Sequence, residues 1–286
     1  MLETDSQAAD LSHVQQFFTN DLETSGHVLG TKYSQNQPFP HVIIDDFFTN
    51  HIANQLARHV LSLYDGDYPV SFRGLAQKKL QLGNIQLLAP DLCPIYKSLM
   101  GPVFARYLET ISGYAALEAD GQFTGAGLHR YRRDGFSEIH LDSNRHPFNI
   151  DLVHRVNLIV FLNPNWQTQW CGELVLWSKR EDKPARPAAI IQPSFNRCVI
   201  FSATEESWHS VNRISCPKGQ TRDSLVIYYF NNVKIDGDKA PRSVLWHSVR
   251  SRRRQILFEV TNRLMTRAKP YAPYLRWLRP NKFDGV

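Results

Sequence analysis

Cysteine is scarce in this chain of 286 residues: there are four, at positions 93, 171, 198 and 216. No two of them form a CxxC pair, so neither a disulfide framework nor a thiolate zinc site is expected, and a reducing compartment fits best. No run of about 18 apolar residues is present, which argues against a membrane-spanning helix. The opening MLETDSQAADLSHVQQFF is polar and acidic and lacks the basic start and apolar centre of a secretory leader. The expected location is cytoplasmic. Internal repeats and low-complexity tracts are also missing, which excludes a solenoid or an unstructured polymer.

The composition is that of a folded domain, with 42% hydrophobic and 21% charged residues. The length suffices for one sizeable core with decorations. Aromatic content of 12% suits a β-rich core. The net charge of +6 is unevenly spread: residues 242–286 hold eleven Lys/Arg against two Asp/Glu, leaving a slightly acidic body.

Along the chain, residues 1–37 read as a mixed N-terminal arm with a short helix around 12–19. Residues 41–47 form a buried strand. Ile52, Leu56, Val60 and Leu63 recur at helical spacing and predict a helix over 50–64. Residues 65–89 show little periodicity. A second helical stretch covers 90–112, with Pro102 as a break. After Gly113 the texture becomes short β-rich runs, at 127–132, 138–141, 153–162, 173–177, 188–192, 198–202, 208–214 and 224–231. Such spacing predicts a sandwich or barrel rather than βαβ units. The tail over 242–267 is helix-compatible, with Leu245, Val249, Ile256, Val260 and Leu264 recurring and Arg250 and Arg252 to Arg254 placed elsewhere. The fold class is therefore α+β with a mainly β core, supporting N-terminal helices and a basic helical tail. The expected division is an arm at 1–37, a catalytic domain at 38–235 whose strand-rich core is 113–232, and a basic extension at 236–286 that packs on the barrel or projects from it.

The sharpest chemical signal is His140-Leu141-Asp142. Residues i and i+2 of a strand share a face, so this tripeptide sets an imidazole beside a carboxylate. His209 is the best candidate for a third ligand. Two His and one carboxylate on one side of a metal leave open positions, the arrangement suited to Fe(II) oxygenases. The tripeptide alone is more often structural than metal-binding. Arg222-Asp223-Ser224 strengthens the reading, because a guanidinium grips a carboxylate through two parallel hydrogen bonds and Ser224 would share its face.

These residues resemble a known family. The stretch from Gly127 through Tyr131 and Gly135 to His140-Leu-Asp142 is similar to the core of the prolyl-4-hydroxylase-like 2-oxoglutarate/Fe(II) oxygenases. So are His154-Arg-Val-Asn-Leu-Ile-Val-Phe-Leu-Asn163-Pro-Asn-Trp166 and Cys171-Gly172-Glu-Leu-Val-Leu-Trp177. The resemblance spans roughly 38–232. It implies a double-stranded β-helix, a jelly-roll or cupin-like barrel, with the site at one open end. It implies Fe(II) held by His140, Asp142 and His209, with 2-oxoglutarate and O₂ as co-substrates and ascorbate as a reductant. Arg222 and Ser224 would hold the far carboxylate of 2-oxoglutarate, with Tyr131 and Asn157 as further contacts. The chain departs from the family at Cys171, where glycine is frequent, and at Phe161, where some members have tyrosine. Related halogenases replace the carboxylate ligand, so the intact Asp142 implies hydroxylation.

The expected reaction is hydroxylation of an unactivated C–H in an amino acid, a prolyl or peptidyl substrate or a related small metabolite, with succinate and CO₂ released. Desaturation or cyclisation by the same centre stays open. So do a metal-dependent enzyme that uses no 2-oxoglutarate and a lapsed binding module acting through its tail. His129 and Arg145 are candidate substrate contacts, and Arg132, Arg133 and Arg145 suggest an acidic substrate. Residues 65–89, 143–152 and 179–187 would form the pocket rim. His146 and His154 are expected in solvent and the tryptophans in packing roles. The tail, 242–282, is read first as a packed helix with a solvated basic face, and otherwise as a weak contact for an anionic surface or an acidic partner. The oligomeric state is not legible.

Overall fold

The β-rich half of the sequence builds a curled antiparallel barrel, and the earlier helices cover one of its walls. The computed structural model describes residues 10–83, 90–121, 123–249 and 251–268. The strands are β1 (His41–Ile44), β2 (Val70–Arg73), β3 (Gln77–Leu82), β4 (Glu118–Ala119), β5 (Gly127–Tyr131), β6 (Phe136–Leu141), β7 (Val153–Phe161), β8 (Leu174–Arg180), β9 (Lys183–Ile191), β10 (Cys198–Ser202), β11 (His209–Val211), β12 (Arg222–Asn231) and β13 (Leu245–His247). The helices are α1 (Ser25–Gln35), α2 (Asn50–Ser62), α3 (Cys93–Met100), α4 (Pro102–Ser112) and α5 (Arg252–Ala268). Among the described residues no helix is long and apolar enough to cross a membrane.

One wall runs β1-β10-β7-β12-β5 and the other β6-β11-β8-β9. β3 joins them, pairing with β5 through Leu80–Leu82 and with β6 through Gln77 and Lys78. This is the double-stranded β-helix expected from the sequence.

Alternation along β7 and β12 sorts side chains between two environments. Val156, Leu158, Val160, Leu225, Ile227 and Tyr229 enter one large apolar core with Phe18, Tyr33, Leu56, Phe104 and Leu108 from the N-terminal segments. Asn157, Ile159, Ser224, Val226 and Tyr228 line the barrel interior instead. Both faces are buried, which is why these strands read as nearly continuous apolar runs.

Three stretches differ from the sequence reading. Residues expected as an arm contain α1, whose glycines lower helix propensity and hide it. Those glycines permit close packing on α4: a Cβ at Gly30 would lie 2.9 Å from the Thr110 carbonyl oxygen. Residues 65–89 contain β2 and β3, whose alternation is too short to stand out: Val70 with Phe72 on β2, and Leu80 with Leu82 between polar residues on β3. The tail is not one helix, since Leu245 to His247 form β13, which pairs with β6. α5 then packs through Phe258, Arg254, Gln255 and Asn262, while Ile256, Leu257, Val260 and Leu264 are exposed. The barrel offers α5 polar anchors here, the Glu138 carboxylate and the backbone of Trp246 and Ser248, so the packed face is not the apolar one.

Gly127, at the start of β5, has φ +95°, and an added Cβ would overlap the Leu82 carbonyl oxygen on β3. Gly127→Ala should cost roughly 2 kcal/mol or more, from strain and overpacking together. The check is a thermal or urea unfolding curve, with Gly121→Ala, where no atom lies within 4 Å, as the matched control.

Candidate metal and co-substrate site

β6 ends in His140-Leu141, and Asp142 follows at once. β11 runs antiparallel to β6 with His209 directly opposite His140. This cross-strand pairing brings the two rings to a centroid separation of 4.2 Å. Asp142 bridges them: Oδ1 is 3.6 Å from His140 Nε2 and Oδ2 is 3.6 Å from His209 Nε2. Ligand atoms of all three residues lie within 4.8 Å of one another. His140 and His209, 69 positions apart in sequence, thus converge by strand pairing.

Each imidazole is oriented from behind. His140 Nδ1 donates to Glu138 O and His209 Nδ1 to Ser207 O, both at 2.8 Å. A carbonyl can only accept, so Nδ1 carries the hydrogen and Nε2 presents its lone pair to the shared centre. Asn157 Nδ2 donates to Asp142 Oδ2 at 3.1 Å, while Asn157 Oδ1 is buried with no partner among the described residues. Burial pushes the His140 pKa down to about 3, with His209 adding to the effect. Burial raises Asp142, but His209 and His140 outweigh it and hold the carboxyl at about 2. The set is two imidazole nitrogens and one carboxylate, which suits a divalent iron and leaves open positions.

The cavity beside this cluster is lined by β3, β5, β7 and β12. Strand register sets Lys79, Tyr131 and Arg222 in one row across β3, β5 and β12, with Gln81, His129 and Ser224 in the next. Arg222 is 2% exposed, donates Nε to Gly172 O at 2.8 Å, and lies between the rings of Tyr131 and Phe161 at 5.2 and 4.8 Å. It makes no ion pair among the described residues. A guanidinium held flat by two rings, with one edge committed to a carbonyl, is prepared to grip a carboxylate. Burial lowers its pKa to about 10, which still leaves it charged.

Two departures from the family pattern have local explanations. Cys171 has φ +57° and ψ −144°, a conformation that favours glycine, and so occupies the backbone slot where the family often has one. Gly172 cannot carry a side chain comfortably, since a Cβ would lie 3.0 Å from Ile214 Cγ1 and 3.2 Å from Arg222 Cδ. Phe161 serves Arg222 through its ring face rather than through a hydroxyl.

The structure brings together His140, Asp142, His209, Arg222, Ser224, Tyr131, Asn157 and His129, all of which line the one cavity. Arg145 is not among the lining residues; its Nη2 donates to Lys239 O at 3.1 Å. Arg132 faces solvent and pairs with Asp65, and Arg133 reaches Cys216 O. His154, expected in solvent, is 2% exposed and packs on Tyr228 and Phe230. Apolar neighbours on β12 bury it, and nothing adjacent to it in sequence reveals them.

Sequence reasoning missed Lys79, Tyr228 and Trp246. Lys79 and Tyr228 line the cavity, and Trp246 of β13 stacks on His140 at 4.7 Å and 27°. Arg242, just before β13, donates Nη1 to Asp142 O at 2.5 Å and pairs with Glu205. The alternation of Lys79 with Gln81 was the one available signal for β3.

With this geometry in place, residues 126–230 match the 2OG-Fe(II) oxygenase superfamily. The barrel has the fold of the 2OG-Fe(II) oxygenases. The chain is accordingly an oxidoreductase that uses Fe(II), 2-oxoglutarate and O₂. No curated protein sequence matches the chain. Among solved structures, a prolyl hydroxylase from Trichoplax adhaerens, in complex with a hypoxia inducible factor peptide fragment, is similar at 19% identity and TM-score 0.52, covering 73% of this chain and 91% of that one. A prolyl 4-hydroxylase from Phytophthora capsici is similar at 18% identity and TM-score 0.53, covering 91% and 79%. At these identities the likeness is one of fold, and the prolyl-4-hydroxylase-like character of the barrel rests on it together with the family match.

Asn157→Ala should weaken Mn(II) or Fe(II) binding about 10- to 100-fold, because the carboxylate loses the donor that orients it. Calorimetric titration of metal into the anaerobic protein measures this, and Asn157→Asp separates lost orientation from added charge.

Proposed function

We propose that this oxygenase hydroxylates an aliphatic C–H bond of a small metabolite, an amino acid or a prolyl-type residue, using an iron centre held by His140, Asp142 and His209. The observation that carries this reading is the convergence of those three side chains beside Arg222 in one cavity. The unit assigned to catalysis is 38–235, with 236–286 as an extension whose described part, β13 and α5, lies against β6.

When bound, the iron and 2-oxoglutarate supply the oxidising power, with succinate and CO₂ as co-products. The chain supplies position and a dry surrounding. Nε2 of His140 and of His209 and the Asp142 carboxylate would hold the ion, and the backbone carbonyls behind the imidazoles stop the rings from turning. Arg222 holds the distal carboxylate of 2-oxoglutarate, with the Ser224 hydroxyl beside it. Tyr131 closes that end, its hydroxyl 3.1 Å from Ser137 Oγ. Ile159, Leu174, Phe201 and Val226 line the rest with apolar surface that excludes water. A carboxylate at position 142 would take the place at the ion that a halide would need, which favours hydroxylation over halogenation.

β13 lies along the edge of the strand bearing His140, and Trp246 covers that imidazole. This cover favours a compact substrate over a long peptide laid across β6.

The deciding assay is succinate formation from 2-oxoglutarate by the Fe(II)-loaded protein, screened across free amino acids, prolyl peptides and small metabolites. Asp142→Ala and His209→Ala should abolish it while leaving the unfolding transition in place. Arg222→Met should raise the 2-oxoglutarate concentration needed at least tenfold, consistent with a lost charge-assisted pair worth roughly 1.5–3 kcal/mol. Succinate formation undiminished in Asp142→Ala would reject the centre.

A further inference from the structure

Lys79 is a second cation inside the cavity, and nothing in the reading above uses it. Its Nζ reaches His129 Nδ1 at 3.3 Å, and His129 Nε2 lies 3.3 Å from Gly125 O. The carbonyl can only accept, so His129 carries its hydrogen on Nε2 and offers Nδ1 as acceptor to the ammonium. The chain from Gly125 through His129 therefore aims Lys79 while using one of its three hydrogens. No ion pair of Lys79 occurs among the described residues.

Among the described residues, three charged side chains line the cavity: Lys79, Asp142 and Arg222. In the iron-centre reading, on which this inference rests, the metal's two positive charges cancel the two negative charges of 2-oxoglutarate. Asp142 then offsets Arg222, and the charge of Lys79 is left over. A charge left unpaired in a poorly hydrated site is costly, so the loaded cavity is completed by one more anion. Arg222 is already placed for the distal carboxylate of 2-oxoglutarate, which leaves Lys79 for a second carboxylate. The two residues stand two strands apart with Tyr131 between them, their backbones about 10 Å apart at strand spacing.

We propose that Lys79, aimed by His129, binds a carboxylate of the primary substrate, making this an oxygenase for a substrate that carries a negative charge near the carbon it oxidises. The oriented ammonium sets specificity by charge and fixes which end of the substrate enters beside the iron.

The test uses the full chain loaded with Mn(II) and saturating 2-oxoglutarate. The probe is acetate, with acetamide as its neutral match. Mn(II) broadens the methyl proton resonance of any molecule held nearby, which reports binding without turnover. Acetate should be broadened at least fivefold more than acetamide by the wild-type protein. Lys79→Met should bring acetate down to the acetamide level, and Lys79→Arg should keep most of the difference. Calorimetry on the same proteins should show 2-oxoglutarate affinity within threefold of wild type for Lys79→Met and at least tenfold weaker for Arg222→Met. Unfolding curves establish that both Lys79 variants are folded. Equal broadening by acetate and acetamide in the loaded wild type overturns the proposal, as does full acetate broadening in Lys79→Met. A loss of 2-oxoglutarate affinity in Lys79→Met as large as in Arg222→Met also overturns it and assigns Lys79 to the co-substrate. A wild-type protein that binds no Mn(II) at all overturns the iron-centre reading, and this proposal with it.

Discussion

The buried pair of Arg130 and Asp223 fixes the geometry on which the site depends. Arg130 Nε donates to Asp223 Oδ1 at 2.6 Å, and both side chains are almost fully buried. The other two guanidinium nitrogens donate to Leu63 O and Val60 O, closing the C-terminal end of α2. Asp223 also accepts from Thr221 Oγ1 and Asn163 Nδ2. The pair is on the helix side of β5 and β12, and alternation puts His129, Tyr131, Arg222 and Ser224 on the opposite side of the same strands. One bond thus locks the register of the two strands that carry the co-substrate face. Leaving either charge alone would cost roughly 3–5 kcal/mol, and a slip of one residue would turn the cavity face outward.

The metal side is built on a different rule. β6 and β11 are short and pair across a register shift between His209 and Val211. The irregularity lets Ser137 and His140, an odd number of residues apart, both line the cavity. Backbone carbonyls then fix both imidazoles at their far nitrogens. The imidazoles are oriented by main chain and the carboxylate by the Asn157 amide, so no second charged side chain sets the geometry of the cluster.

Much of this was legible in the sequence where one principle acted alone. Period-two spacing in His140-Leu141-Asp142 set an imidazole beside a carboxylate, and His209 and Arg222, singled out downstream, line the same cavity. The barrel followed from short apolar runs between turn residues. Legibility failed where two constraints competed. β3 alternates only briefly, Leu80 and Leu82 against Lys79 and Gln81, and its polar face turns into the cavity rather than to solvent, so Lys79 stayed hidden. α1 uses glycines to approach α4, which masks it as a helix. In the tail, aliphatic spacing suggested a buried stripe, yet Phe258 and polar anchors hold α5 to the barrel. Arg145 lay close to the motif in sequence, but the turn after Asp142 carries its guanidinium to Lys239 O.

Trp246 on His140 has a consequence for the order in which the molecule is made. Every residue of the His-Asp-His cluster, the latest being His209, is synthesised before the indole that roofs it. The chain that forms the barrel walls and the cluster is therefore made before the side chain that covers His140. Arrival of β13 and then α5 shuts that side, much as a cap is fitted to a vessel once it has been filled.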